Sequence, residues 1–323
     1  MKILVTGGAG YIGSFMVKHL LERGDEVAVA DSLERGHKES LDSRAKFYQG
    51  NLLDKNFVTK VFSENKFDAA INFAGFISMG ESMENPFIYF QNNVFSALNL
   101  MEEMVKTKTD NFIFSSSAGV YGNPLNLPIP EDHLTNPENP YGESKLMVEK
   151  LMKWYQKTHG LDSVALRYFN AAGAALDGTL GEQHNPETHI IPNIIKAILE
   201  NSTFKLFGTD YKTKDGTCVR DYIHVLDLIE AHLLAIEKLS KNKGMFIYNV
   251  GTGNGYSNKE VIEAVKRVSG KNLNVEECPR RLGDADELVA DVAKIKSELN
   301  FNPKYSDLDT IVKTAWEWHS KQS

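Results

Sequence analysis

The sequence predicts an α/β protein: a doubly wound parallel sheet followed by a smaller mixed α/β C-terminal region. Three observations carry that prediction. Short, almost continuously apolar runs alternate with helical segments through the first half of the 323 residues, as expected for strands covered on both faces. A glycine-rich turn, "VTGGAGYIG" at 5–13, joins the first strand to the first helix. After about residue 170 the alternation becomes irregular, with loop-like stretches such as "GAALDGTLGEQHNPETH" at 173–189.

Taken in order, "KILVTG" (2–7), "EVAVAD" (26–31), "KFYQGN" (46–51), "AAINFAG" (69–75), "NFIFSSS" (111–117) and "SVALRYFN" (163–170) read as strands. Helical spacing of apolar positions places helices near 11–23, 55–65, 87–107 and 141–159. A further helix is expected after Pro192, a turn and helix over 218–239, and a buried strand over 245–253. The first domain is therefore assigned to 1–170, with segments near 218–253 returning to it, and the second to 171–323 with soft boundaries.

Bulk properties narrow the function classes. Hydrophobic content is 42% and charged content 24%, ordinary for a globular protein. No long apolar run predicts a membrane helix, and a formal net charge of −7 disfavours nucleic acid and acidic membranes as partners. "MKILVTGG" is too short an apolar start for a signal peptide and leads directly into the glycine turn, so a cytoplasmic location is expected. Cys218 and Cys278 show no metal-ligand spacing, and neither a metal centre nor a disulfide is expected.

The glycine turn places Gly7, Gly10 and Gly13 in a G-x-x-G-x-x-G pattern after a strand and before a helix. Such glycines allow a tight turn, close approach of backbone to a pyrophosphate, and packing of helix on sheet. The helix N-terminus then faces the phosphates. Glycine-rich turns also occur for dihedral reasons alone. The flanking strand and helix, with Asp31 closing the second strand about 20 residues on, point to a Rossmann-type dinucleotide site. Asp31 suits ribose hydroxyls and would repel a 2′-phosphate, so NAD is favoured over NADP.

Residues 139–145 read "NPYGESK". Pro140 suits the first turn of a helix, and Tyr141 and Lys145, four apart, share one helical face. A nearby ammonium favours a phenolate, so a lowered tyrosine pKa is expected. Ser117 ends the preceding strand, where ligands meet sheets of this kind.

"VTGGAGYIGS", "NFAG", "GESMENP", "NNV", "FSSSAGVYG", "NPYGESKLMVE", "ALRYFNAAGA", "GEQHNPETHIIP", "FGTDYKTKDGTCVRDYIHVLDL" and "YNVGTG" run in order over nearly the whole chain. On these segments the sequence resembles the extended short-chain dehydrogenase/reductase superfamily, and within it the UDP-glucose 4-epimerase family. The 4,6-dehydratases and UDP-glucuronate decarboxylases are similar, but they carry acids just after the active-site strand. Here that stretch is Ser117-Ala118-Gly119-Val120-Tyr121, with no acid.

The resemblance implies reversible C4 epimerisation of UDP-glucose and UDP-galactose through a transient 4-keto sugar, with tightly bound NAD. Tyr141 is the implied base. Lys145 lowers its pKa and holds the cofactor ribose, and Ser117 orients the hydroxyl. Implied cofactor contacts are Gly7, Gly10, Tyr11, Ile12, Gly13, Asp31, Asn51, Leu52, Phe73, Ala74, Gly75, Asn92, Tyr141, Lys145 and Phe169. Implied substrate contacts are Ser117, Asn170, His189, Phe207, Arg220, Arg281, Asp284 and Leu288, with Arg280 a neighbouring surface charge.

Three positions depart from common family residues: Asn51 replaces an aspartate, Ile77 a lysine and His189 an asparagine. Leu288 is intermediate between a bulky tyrosine, which tends to exclude N-acetylated sugars, and small residues, which tend to admit them. A UDP-N-acetylglucosamine or dual-substrate epimerase is thus the alternative. A redox-sensing NAD(H)-binding regulator is disfavoured by the presence of Tyr141, Lys145 and Ser117. The resemblance also implies a homodimer packed through helices 87–107 and 141–159. The stripe Phe90, Val94, Leu98 and Met101 on the first of these reads more readily as core.

Overall fold

The computed structural model describes residues 1–281 and 284–322. In chain order the elements are β1 (Lys2–Thr6), α1 (Tyr11–Glu22), β2 (Glu26–Asp31), β3 (Lys46–Gln49), α2 (Lys55–Ser63), β4 (Ala69–Asn72), α3 (Met79–Glu84) and α4 (Pro86–Tyr89). A π-helical stretch, Phe90–Phe95, leads into α5 (Ser96–Thr107). There follow β5 (Asn111–Ser117), α6 (Pro140–His159), β6 (Asp162–Tyr168), β7 (Asn170–Ala172), α7 (Ile190–Leu199), β8 (Thr203–Phe207), β9 (Val219–His224) and α8 (Val225–Lys241). The chain finishes with β10 (Met245–Val250), β11 (Gly255–Ser257), α9 (Asn258–Ser269), β12 (Asn274–Cys278), β13 (Glu287–Leu288), α10 (Ala293–Leu299) and α11 (Leu308–Gln322). Among the described residues no helix is long and apolar enough to cross a membrane.

The chain forms two compact units. The first comprises 1–122, 135–167 and 229–248, and the second 123–134, 168–228 and 249–323. In the first, seven strands lie in the order β10-β6-β5-β4-β1-β2-β3. β1 pairs in parallel with both β2 and β4, so strand order reverses there. That reversal is the switch point where open α/β sheets take ligands, outside the carboxyl ends of the strands. Thr6 Oγ1 donates to Asn72 Oδ1 across the two strand ends at 2.8 Å, in a buried setting. The core under the sheet includes Leu4, Ala28, Phe62, Ala70, Leu100, Met104, Phe112 and Val148.

Two expectations need correction. The helix expected over 87–107 is interrupted: the π-helical stretch lets Asn92 and Asn93 leave the α-helical register, a distortion often found at functional sites. The segment 218–253 does not return to the first unit as a whole. β9 pairs with β7, β11 and β13 in the second unit, and the return begins at Ile229, inside α8. The stripe at Val94 and Met101 is buried, with Phe90 and Leu98 packed against the same core.

In the second unit β9 is central, and α7, α9 and α11 pack through Ile191, Ile194, Ile195, Val261, Ile262, Val265, Ile311 and Val312. β8 and β12 form a separate parallel pair.

Candidate active site

At the end of β1 the glycine turn is dictated by space as much as by dihedral angle. A Cβ at Gly7, which has φ +70°, would lie 2.6 Å from the Ala74 nitrogen. One at Gly13 would lie 2.1 Å from the Gly7 oxygen. Side chains at these two positions would collide with backbone of the turn itself and of the segment after β4. Asp31 is buried, and its carboxylate accepts from the Ala9 N–H at 3.0 Å and the Leu33 N–H at 2.8 Å. It therefore braces the turn. A carboxylate can accept up to about four hydrogen bonds, so acceptor capacity remains. The turn, Asp31 and Phe73-Ala74-Gly75 at the end of β4 fit a dinucleotide.

The remaining cofactor candidates are more committed. Asn51 Oδ1 accepts from the Leu53 N–H at 2.9 Å, and its amide donates to Glu34 at 3.3 Å. The oxygen expected to meet an adenine amine already caps a turn. Leu52 is buried, and its carbonyl accepts from Asn99 at 2.9 Å. Asn92 donates to the Ile88 carbonyl at 3.0 Å. Tyr11 is buried edge-on to Phe15, with Ile12 beside it in α1. Phe169 falls in the second unit, apart from the other cofactor candidates in the chain's division.

Asn139 caps α6 by accepting from the Gly142 N–H at 2.9 Å, and Pro140 fills the first helical position. This places Tyr141 and Lys145 on the face toward β5. A Cβ at Gly119 would lie 3.3 Å from Ser117 Oγ and 3.7 Å from Tyr141 Cε1, so one small residue lies against both. Lys145 is buried, and its Nζ donates to the Ser115 carbonyl at 2.8 Å. That Nζ lies 5.0 Å from the Phe114 ring centroid and 5.8 Å from that of Tyr141.

The expected lowering of the tyrosine pKa is not what this geometry produces. Burial pushes the Tyr141 phenol up from its usual value, while its hydrogen bond with Ser117 pulls it down. Burial also lowers the Lys145 ammonium to about 8. The ammonium faces a strand carbonyl and the tyrosine ring, and desolvation of both groups outweighs their attraction.

Two buried networks hold these residues. Glu149, one helical turn after Lys145 and on the buried side of α6, accepts from Arg167 Nε at 2.9 Å, from its Nη2 at 2.6 Å and from Ser116 Oγ at 2.5 Å. Arg167 Nη1 also donates to Tyr121 Oη at 2.9 Å. α6, β5 and β6 are thereby joined behind Ser117. Asn93, which sequence reading left out, accepts from the Phe76 N–H at 2.7 Å and donates to the Phe76 carbonyl at 3.0 Å and Ser144 Oγ at 2.9 Å. It ties the end of β4 to the catalytic helix. The adjacent asparagines in "NNV" were the available signal, but only the π-helical turn shows which of them faces inward.

The second unit gathers several predicted substrate residues. Leu288 pairs with Arg220 across β13 and β9, and Asn170 pairs with Tyr222, two residues beyond Arg220. The period-2 geometry of strands puts Asn170, Arg220 and Leu288 on one face. Arg220 Nη1 donates to the Ala285 carbonyl at 2.9 Å, and Nη2 lies 3.8 Å from Asp284. The Arg281 guanidinium stacks over the Phe207 ring at 4.0 Å, a cation–π contact. Arg280 instead stacks on Tyr211 and pairs with Asp210 at 2.7 Å. His189 stands at the N-cap position of α7 without a side-chain capping bond, and its Nδ1 contacts Glu182.

A family model described as the NAD dependent epimerase/dehydratase family matches residues 3–251. The chain belongs to that family. The UDP-glucose 4-epimerase of Lactobacillus helveticus is 48% identical over 320 residues, covering 99% of this chain and 97% of its own. A crystal structure of a UDP-glucose 4-epimerase matches with a TM-score of 0.96 at 46% identity, covering 100% of this chain and 98% of its own. The Bifidobacterium longum UDP-glucose 4-epimerase, crystallised with NAD+ and UDP, matches with a TM-score of 0.95 at 36% identity, covering 99% and 98%. Family membership and the geometry agree on the sheet, the glycine cradle and an enzyme that uses NAD.

Proposed function

We propose that this protein catalyses reversible C4 epimerisation of UDP-glucose and UDP-galactose, with NAD as a resident cofactor. The observation that carries the reading is the meeting of Tyr141, Ser117 and Lys145 at the carboxyl end of β5, in a chain that also has a glycine cradle at its switch point. NAD, when bound, supplies a reversible two-electron oxidation at the sugar C4. Tyr141 Oη takes the proton of the 4-hydroxyl and later returns it to the same oxygen, on a sugar that then presents its other face. Ser117 Oγ holds the reacting oxygen in hydrogen-bond reach of Tyr141. The Lys145 ammonium, lowered by burial to about 8, favours the phenolate form that Tyr141 needs in order to act as the base.

Inversion requires the sugar to present both faces while the nucleotide stays held. Arg220 and Arg281 are suited to grip a diphosphate, since a guanidinium fork matches phosphate oxygens. Phe207 offers a flat surface to a pyrimidine, and Asp284 an acceptor to a ribose hydroxyl. Leu288, opposite Arg220, leaves the glucose/galactose pair as the main substrate.

A homodimer fits the first unit. Phe87, Phe95, Met147 and Trp154 are exposed at helical spacing on α4 to α6, an unusual apolar surface for a monomer. Sedimentation as a monomer would remove that part of the reading.

The functional test is purified protein with UDP-galactose and no added cofactor. UDP-glucose is then read by a dehydrogenase whose NAD+ is added after heat-killing the first enzyme. UDP-glucose formation is expected. Silence with and without added NAD+, alongside turnover of the N-acetylated pair, would replace the main substrate assignment.

A further inference from the structure

The segment 182–189 reads Glu-x-His-x-x-Glu-x-His. One ligand atom from each of Glu182, His184, Glu187 and His189 falls in a cluster whose members all lie within 4.8 Å of one another. His184 Nδ1 is 3.1 Å from Glu182 Oε1 and 3.7 Å from Glu187 Oε2. His189 Nδ1 is 3.7 Å from Glu187 Oε1 and touches Glu182 Oε1. A tetrahedral zinc ion holds nitrogen and oxygen ligands at about 2.0–2.1 Å, which sets neighbouring donors about 3.3 Å apart. The distances from His184 Nδ1 to Glu182 Oε1 and to Glu187 Oε2 lie close to that edge.

We propose that Glu182, His184, Glu187 and His189 form a structural zinc site in the loop that enters α7. The donor set is of the imidazole and carboxylate type that zinc accepts. Two carboxylates balance the charge of one divalent cation, which suits a site beside the N-terminus of α7, where excess positive charge is disfavoured. Glu182 is only 3% exposed, and a carboxylate so buried needs a compensating cation. The two imidazole rings stand with centroids 5.3 Å apart, and each offers a nitrogen to the space beside the Glu182 carboxylate.

The donors are also held from outside. Glu187 Oε1 accepts from the Thr188 and His189 N–H groups at 2.7 and 2.8 Å, which aims Oε2 at His184. The Glu182 carbonyl accepts from Trp318 Nε1 at 3.1 Å, tying the loop to α11. With four protein donors the site is closed, as structural zinc sites are. Its task is to pin this loop and fix His189. The absence of cysteine from the donor set hid it from a reading based on cysteine spacing.

The test uses untagged protein purified without chelator or added metal. Elemental analysis is expected to find about one zinc per chain. Stripping with dipicolinate is expected to lower the melting temperature by several degrees, and zinc, but not magnesium, to restore it. His184→Ala and Glu187→Gln are expected to lose the metal. Should either variant fail to fold, cobalt(II) loaded into stripped wild-type protein decides by its absorption, with the strong visible bands of tetrahedral coordination expected. Weak octahedral bands would overturn the site, as would zinc retained by both variants. So would zinc-free native protein that gains neither metal nor thermal stability on dialysis against zinc. None of these readouts uses epimerase activity, so they stand or fall separately from the functional proposal.

Discussion

The two units hold their functional residues by different means. In the first, position is set by backbone and burial. Glycines leave no room for a Cβ, and Lys145 is clamped to a strand carbonyl. α6 is joined to the sheet by a buried ion pair. In the second, the predicted residues are longer side chains that reach from strand faces and loops. Arg220 is held by carbonyls of its own and a neighbouring segment, and the exposed Arg281 by stacking on Phe207. The contrast matches the proposed division of labour. A proton transfer depends on tenths of an ångström, whereas retention of a diphosphate tolerates adjustment of a guanidinium fork.

If that contrast is right, damage to the first unit should appear as lost stability or turnover, and damage to the second as lost affinity. The largest stability effect is expected at Glu149. Glu149→Ala strands the Arg167 guanidinium, whose side chain is 4% exposed. Breaking a buried pair from one side costs about 3–5 kcal/mol, read as a lower denaturation midpoint. A loss no larger than that of a surface pair would mean the network is not a support.

Arg220→Ala comes next. Removing a charge-assisted hydrogen bond costs about 1.5–3 kcal/mol, so KM for UDP-galactose should rise about 10- to 100-fold with kcat much less changed. A fall confined to kcat would place Arg220 with the chemistry and blur the comparison. The smallest effect is expected at Ser117. Ser117→Ala removes one neutral hydrogen bond, worth about 1 kcal/mol, and kcat should fall several-fold with KM nearly constant.

Much of the first unit was legible because its constraints are local. Strands covered on both faces are written as unbroken apolar runs, and β2 and β5 run over the residues expected. Glycine spacing and the tyrosine–lysine interval likewise depend on one turn or one helix. The π-helical stretch was not legible, since Asn93 takes its role from Phe76 and Ser144, which are 17 and 51 residues away. The return at Ile229 was misplaced because β9, with Arg220, Asp221 and His224 in it, reads as a turn, and only its strand partners assign it to the second unit. The expected sign of the Tyr141 shift failed for a different reason. Spacing shows that an ammonium is near, but not that both groups are desolvated.

The central claim is that the first unit performs the chemistry and the second holds the nucleotide. Tyr141→Phe tests it most directly, with UDP affinity by calorimetry and UDP-galactose turnover measured on the same preparation. The account expects UDP affinity near that of the wild type and kcat lower by about 10²- to 10⁴-fold, the usual contribution of a general base. Turnover unchanged by the loss of the phenol, or UDP binding lost along with it, would contradict it.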